Sequence, residues 1–131
     1  IIQGGLDSDP RYRDIPTRDL VIQQTALGNG ETLPAPGGSA AQLFLNGYLN
    51  ESGGELLDQA CQQLLGRGLR ALQLDFAETS MVNSIGISYL LDIIEGAHRG
   101  DARLEFARVP EHIVELFELL GISSRVAVRQ L

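Results

Sequence analysis

The chain has 131 residues, of which 44% are hydrophobic and 21% charged, and this size and composition fit one domain around a single core. The formal net charge of −7 disfavours non-specific nucleic-acid binding, which needs basic side chains to displace counterions from phosphates, so the expected partners are proteins. No stretch approaches about eighteen consecutive apolar residues and the N-terminus lacks the features of a signal peptide, so the sequence predicts a soluble, cytoplasmic protein without membrane insertion.

The ends of the chain and its single cysteine give two further expectations. Because the chain begins with Ile1 and not with Met, we expect it to be part of a longer protein. Cys61 has no second cysteine to pair with, and the leucines around it indicate a buried small hydrophobe. A reactive thiol is the less favoured interpretation.

The N-terminal third contains a tail and two strands. Residues 1–18 are rich in turn formers and are predicted to be a tail or linker, with the domain covering 19–131. Residues 20–27 are rich in β-forming side chains and predict a first strand, which a Gly- and Pro-containing loop at 28–38 ends. Apolar and polar residues alternate over 41–49, which predicts a second strand able to pair with the first as an antiparallel hairpin.

A helix and a third strand follow. Ser52 and Glu55 have the spacing of a capping box, so the first helix is expected to begin near Glu55. Its apolar stripe ends at the glycines of residues 66–68, and the alternation over 69–76 predicts the third strand.

The C-terminal half alternates helices and strands. A second helix is expected after Asn83, ending near residues 96–100 with His98 and Arg99 in its last turn, where cations complement the helix dipole. Residues 102–109 predict a fourth strand. Pro110 at the first helical position and Gly121 as a left-handed stop bound a third helix, and residues 124–131 suit a short edge strand. This order predicts an α/β fold with a mixed sheet.

Several short motifs resemble the anti-sigma factor antagonist (STAS) family. The second strand ends in Gly-Tyr-Leu-Asn (47–50), similar to the family's Gly-Glu-Leu-Asp, and Leu-Asp-Phe (74–76) is similar to its Leu-Asp-Leu. Ser84 and Gly86 then match its helix start, and residues 116–122 look like its third helix and glycine stop. The resemblance covers residues 20–128 and implies a mixed sheet of four to five strands, with three or more helices mainly on one face. The family's usual closing helix has no counterpart.

The chain departs from this family at the residues that carry its switch. The family pattern is Asp-Ser-Ser-Gly, with the second Ser as phosphoacceptor, whereas this chain reads Asn83, Ser84, Ile85, Gly86. Ile85 cannot accept a phosphate, and Asn83 cannot supply the carboxylate. Ser84 stays a possible phosphorylation site, since a helix N-terminus favours added negative charge. The alternative is that Ser84 shares the capping of the helix with Asn83.

The resemblance implies a non-enzymatic regulatory domain of bacterial transcription that needs no cofactor. Its implied partner is an anti-sigma factor, a serine kinase of the histidine-kinase-like ATPase superfamily, bound through the start of the second helix. With the acceptor replaced, we expect constitutive binding, or control by another domain, a partner or Ser84. The candidate contact residues are Asn50, Thr79, Ser80, Met81, Asn83, Ser84, Ile85 and Ser88. Ile85 either presents an apolar surface to this partner or packs into the core.

Other functions stay open. One is an adaptor subunit similar to the STAS components of transporters or stress-signalling scaffolds. Another is a phosphoryl-transfer or hydrolytic enzyme using Asp75 and Ser84, although no base, metal or cation is evident beside them, and Asp75 is better interpreted as an Asx turn.

His98 and His112 lack the spacing of a metal site. Glu111, Glu115 and Glu118 form a solvated helix side or steer a basic partner. The oligomeric state is left open.

Overall fold

The sheet of the protein has five strands and mixed pairing. The computed structural model describes residues 21–26 and 40–131, so the predicted tail and the loop at 28–38 lie outside the described residues. The strands are β1 (Val21–Ala26), β2 (Ala40–Leu49), β3 (Ala71–Val82), β4 (Arg103–Val109) and β5 (Ala127–Gln130). They lie in the order β1-β2-β3-β4-β5, with β1 antiparallel to β2 and all other pairs parallel. The predicted mixed sheet, hairpin and C-terminal edge strand are confirmed.

Three α-helices connect the parallel strands, as predicted. They are α1 (Glu51–Gly66), α2 (Ser84–Arg99) and α3 (Glu111–Leu119), and a short 3-10 helix, Ile122–Ser124, precedes β5. Gly121 has φ 77°, so it is the left-handed stop that the sequence predicts. Pro110 lies one residue earlier than expected, at the N-cap of α3. There its missing N–H leaves no hydrogen bond unmade.

The helices pack on the face of the sheet that carries the alternate apolar residues of β3. Leu72, Leu74 and Phe76 are fully buried in one cluster with residues from all three helices. Cys61 on α1 belongs to this cluster, and burial, with a smaller contribution from Asp58, raises the pKa of its thiol. The interpretation of Cys61 as a buried hydrophobe is therefore confirmed.

Three aromatic rings connect α3 to the sheet. The ring centroids of Phe76 and Phe106 are 5.2 Å apart, and Phe117 of α3 lies 5.7 Å and 5.6 Å from them. These tilted and edge-on arrangements are the ones that aromatic quadrupoles favour. All three side chains are fully buried, so this cluster fixes α3 on the sheet.

The opposite face of the sheet carries a ladder of polar side chains. The Gln42 amide donates to Gln73, whose amide nitrogen donates to Glu105 Oε1 at 2.7 Å. Arg129 Nε lies 2.9 Å from Glu105 Oε2. Side chains from β2 to β5 are thus hydrogen-bonded in one row. Gln73 and Glu105 are buried, and the ladder supplies the partners that buried polar groups need.

Two predicted boundaries are wrong. Helix α1 begins at Glu51 and not near Glu55, because Asn50 caps it in place of Ser52. Strand β3 does not end at residue 76 but continues to Val82. Residues 78–82 pair with the end of β2 through two register shifts, so the neighbouring strand holds this segment in the sheet.

None of the helices described for this chain has the length and apolar character required to cross a membrane.

Replacing Phe117 by Ala should lower the free energy of unfolding by about 3 to 5 kcal/mol, because it leaves a cavity between Phe76 and Phe106. Leu119 on the same helix is 83% exposed, so Leu119→Ala should change the free energy of unfolding by less than about 0.5 kcal/mol. Chemical denaturation of the two variants tests this. Equal losses would contradict the assigned core.

Candidate functional site

Two helices start side by side at one edge of the sheet. Strands β2 and β3 are parallel, and Leu49 at the end of β2 lies opposite Val82 at the end of β3. The residue after β2 is Asn50 and the residue after β3 is Asn83, and each is the N-cap of the helix that follows its strand. The strand register therefore brings together two helix N-termini, each with partial positive charge.

Both asparagine side chains are used to cap these helices. Asn50 Oδ1 accepts a hydrogen bond from the Gly53 N–H at 3.0 Å, and Asn83 Oδ1 accepts one from the Gly86 N–H at 2.8 Å. Each cap satisfies a backbone donor that has no partner within its helix. The alternative in which Ser84 shares the capping is not borne out, since Ser84 is the first helical residue and its side chain is exposed.

The start of α2 lies directly against the end of β2. The Asn83 N–H donates to the Leu49 carbonyl oxygen at 3.1 Å. A Cβ atom on Gly86 would lie 2.4 Å from that same oxygen, closer than real contacts allow. Only glycine fits at this position, and its lack of a side chain lets the helix start against the strand.

Ile85 projects outward from this helix start. Its side chain is 44% exposed, whereas Ile87, two residues later, is buried. Of the two orientations considered for Ile85, the structure has the one that presents an apolar side chain to solvent. Ser84 and Ser88 are exposed beside it, and the Ser88 hydroxyl donates to the Ser84 carbonyl at 3.2 Å. Two hydroxyls thus flank one isoleucine.

The predicted contact residues on β3 differ from one another in how exposed they are. Ser80 and Met81 are half-buried at the end of the strand, and the Ser80 carbonyl accepts from His112 Nε2 at 3.0 Å. Thr79 is 3% exposed and its hydroxyl donates to the Leu45 carbonyl at 3.3 Å. Thr79 is therefore a structural residue and does not belong to the exposed surface, because the extension of β3 buries it.

Asp75 does not share a site with Ser84. The carboxylate is 3% exposed, and its oxygens accept from the Ala77 N–H at 3.0 Å and from Arg108 Nε at 2.7 Å. The first bond is the predicted Asx turn. Asp75 and Val82 are seven positions apart along β3, about 23 Å at the usual rise of a strand, and Ser84 follows two residues later. The two residues proposed for an enzymatic site are thus not brought together.

Sequence analysis did not identify Arg108 as the partner of Asp75. Arg108 has φ 51°, a left-handed conformation that is unfavourable for a residue with a side chain, and it lies at a register shift between β4 and β5. No sequence signal marks this bulge. The ion pair with Asp75 offsets part of the strain.

The surface between α1 and α2 is acidic. Tyr89 of α2 packs on Gly54 of α1, where a Cβ atom would come within 2.4 Å of the ring. Partial desolvation and nearby carboxylates raise the pKa of the Tyr89 phenol above its usual value; the carboxylates are Glu55, Glu51, Asp58 and Asp92. Leu56 is 50% exposed on the same helix as three of these acids. Neither Tyr89 nor Leu56 was predicted as a surface feature, because their exposure depends on how the two helices pack.

Metal-binding clusters of His, Cys, Asp or Glu are absent from residues 40–131 and from β1. Glu111, Glu115 and Glu118 are exposed on α3, as expected for a solvated side of the helix.

Solved structures with the same fold include several regulators. An anti-sigma factor antagonist from Mycobacterium paratuberculosis aligns with a TM-score of 0.65 at 12% identity, covering 85% of this chain and 87% of that one. The Bacillus cell fate determinant SpoIIAA in its phosphorylated form aligns with a TM-score of 0.62 at 13% identity, covering 82% and 90%. The murine anion transporter Slc26a9 aligns with a TM-score of 0.60 at 12% identity, over 90% of this chain but 21% of the transporter. At these identities the matches show a shared fold.

The family follows from the sequence. Residues 35–129 match the family model described as "Mlab, STAS domain", and the chain therefore belongs to the STAS family. No curated protein matches the sequence significantly. The fold inferred from the sequence motifs is thus confirmed by both comparisons, and the protein is a STAS domain that resembles anti-sigma factor antagonists.

Replacing Gly86 by Ala should destabilise the fold by about 1 to 3 kcal/mol, because the added methyl meets the Leu49 carbonyl oxygen. Helix propensity alone would predict the opposite, a gain of about 1 kcal/mol. At Gly66, the last residue of α1, an added methyl would meet open space within 4 Å, so Gly66→Ala is the matched control and should be neutral or stabilising. Urea unfolding of both variants measures the two changes in the free energy of unfolding. A stabilised Gly86→Ala protein would contradict the close approach described here.

Proposed function

We propose that this domain is a non-enzymatic regulatory module that binds a protein partner through the paired helix starts of α1 and α2. The proposed partner is an anti-sigma factor or a related serine kinase of the histidine-kinase-like ATPase superfamily. The observation that carries the proposal is the exposed Ile85 beside two capped helix N-termini. An apolar side chain at the exposed start of a helix is available for burial by a partner.

The proposed contact surface consists of exposed or half-buried residues around Ile85. Asn50 and Asn83 shape it as caps, and Ser84 and Ser88 add hydroxyls within one helical turn of Ile85. Ser80 and Met81 extend it along the end of β3. Thr79 is left out because it is buried.

Constitutive binding is the expected mode of action. The resemblance to the STAS family implies that a serine phosphate at the position of Ile85 would place charge in the interface and weaken binding. A phosphate adds a charge of about −1.5 to −2, and its desolvation in an interface is costly. Ile85 has no group that can be phosphorylated, so the partner would stay bound. SpoIIAA, which shares this fold, has been solved in phosphorylated and unphosphorylated forms, so the fold accommodates both states in that protein.

A second candidate function is that of a STAS adaptor in a transporter assembly. The match to a segment of Slc26a9 and the Mlab description of the family model favour it. In this version the same helix starts would dock on a transporter subunit. Binding assays with a purified ATPase-type serine kinase and with a purified transporter subunit, both from the same genome, distinguish the two functions. Each function predicts binding to a different one of these partners.

Replacing Ile85 by Glu should weaken partner binding by about 100-fold or more without unfolding the domain, because a charge replaces an exposed apolar contact. Leu119→Glu, at an exposed apolar residue of α3, is the matched control and should leave the affinity unchanged. Biolayer interferometry against the purified kinase measures both. Equal affinities of the two variants would place the interface elsewhere.

Incubation with the cognate kinase, ATP and magnesium should leave the binding affinity of the wild-type domain unchanged over time. Ile85→Ser restores a hydroxyl at this position, and this variant should acquire one phosphate and then lose affinity. Mass spectrometry locates the phosphoserine and interferometry measures the affinity. Phosphorylation of wild-type Ser84 that abolishes binding would overturn the constitutive mode.

A further inference from the structure

The end of the domain opposite the helix starts is rich in arginine. The chain has 10 positively charged residues and its sequence contains no lysine, so all are arginines. Five of them lie where helices α1 and α2 end or where β3, β4 and β5 begin: Arg67, Arg70, Arg99, Arg103 and Arg125. Because parallel strands begin at the same edge of a sheet, these residues share one end of the domain. The end is basic in a chain with a net charge of −7.

A cleft of about 300 Å³ opens at this basic end. It lies between the last turn of α2 and the first residues of β4 and β5, and its lining includes His98, Arg103 and Arg125. Leu104 and Val126 form the apolar part of the cleft wall. The volume is at the low end of the range for small-molecule sites, which suits a compact ligand.

The acidic group of the cleft is already neutralised. Glu105 also lines it, but its carboxylate is bonded to Arg129 at 2.9 Å and to the Gln73 amide at 2.7 Å. The end of α2 contributes only about half a negative charge from its carbonyl groups. Arg103 already makes an interaction of its own, so the exposed Arg125 guanidinium is the cation that offsets this partial negative charge.

Arg125 is available to a ligand. Its guanidinium is exposed and forms neither an ion pair nor a hydrogen bond with the residues that the structure describes. The backbone N–H of Arg125 bonds to the Ile122 carbonyl at 2.9 Å, which fixes the position of its main chain. Guanidinium groups bind phosphate through two parallel hydrogen bonds, a geometry that ammonium groups cannot supply.

We propose that this cleft binds the phosphate group of a small anionic ligand, with Arg125 as the main binding residue and with Arg103 and His98, which also line the cleft, as further donors. The phosphate belongs either to a free phosphorylated molecule or to a lipid headgroup, since both present the same oxygens. This site lies at the other end of the domain from the proposed protein interface. The two proposals are therefore independent, and either stands if the other fails.

Inorganic phosphate is the first probe. In nitrogen-15 labelled protein, replacing chloride by phosphate at constant ionic strength and pH should shift the amide and arginine side-chain resonances of residues 98–105 and 125–127 in a saturable manner. Arg125→Gln should weaken this binding by about tenfold or more, because it removes a bidentate, charge-assisted contact. Arg67→Gln is the matched control: Arg67 is exposed at the same end but does not line the cleft, so its loss should weaken binding less than about twofold.

Two results would overturn the site. Shifts that do not saturate would show only weak association with a charged surface. Equal losses in Arg125→Gln and Arg67→Gln would show that a diffuse field, and not the cleft, attracts the anion. Because Arg125 is exposed, its substitution should leave the fold intact, and the unchanged spectrum of the rest of the domain verifies this.

Vesicles distinguish the two sources of the phosphate group. Sedimentation with phosphatidylcholine vesicles that contain phosphatidic acid should capture the wild type but not Arg125→Gln if the ligand is a headgroup. Binding of inorganic phosphate without vesicle capture supports a free phosphorylated molecule. Vesicle capture that both arginine variants reduce equally counts against the cleft.

Discussion

The parallel pairing of β2 with β3 is the constraint on which the candidate protein-binding site depends. Its register ends both strands at the same level, so Asn50 and Asn83 begin two helices side by side. The Leu49 carbonyl then accepts the Asn83 N–H and lies against Gly86, which holds the start of α2 on the strand. A shift of one residue in this register would turn every side chain of one strand to the other face and separate the two caps.

The two faces of the sheet are stabilised by different interactions. One face buries leucines and phenylalanines under three helices, and this burial is the main favourable contribution to folding. On the other face, the row from Gln42 to Arg129 joins four strands through satisfied polar groups. Such a row contributes little net stability, but leaving one member unpaired would be costly, so it favours the native strand order.

The two ends of the domain have different chemistry. The end with the helix starts carries an exposed isoleucine, two serines and nearby carboxylates, and it suits contact with a protein. The opposite end gathers arginines where helices finish and strands begin. Acidic residues at helix starts and basic residues at helix ends both complement the peptide dipoles. Of the arginines at this end, Arg99 lies in the last turn of a helix, whereas Arg70, Arg103 and Arg125 lie where strands begin, so the dipole preference accounts for only part of the basic end.

The sequence by itself determined most of the elements, the mixed sheet and the family, because periodicity, caps and glycine stops are local signals. It also indicated that Asn83 precedes a helix and that Cys61 is buried. Only the tertiary structure decided that β3 runs to Val82, that Thr79 is buried, that Asp75 pairs with the strained Arg108, and that an arginine-lined cleft exists. Each of these depends on contacts between residues far apart in the chain, and no local pattern encodes such contacts.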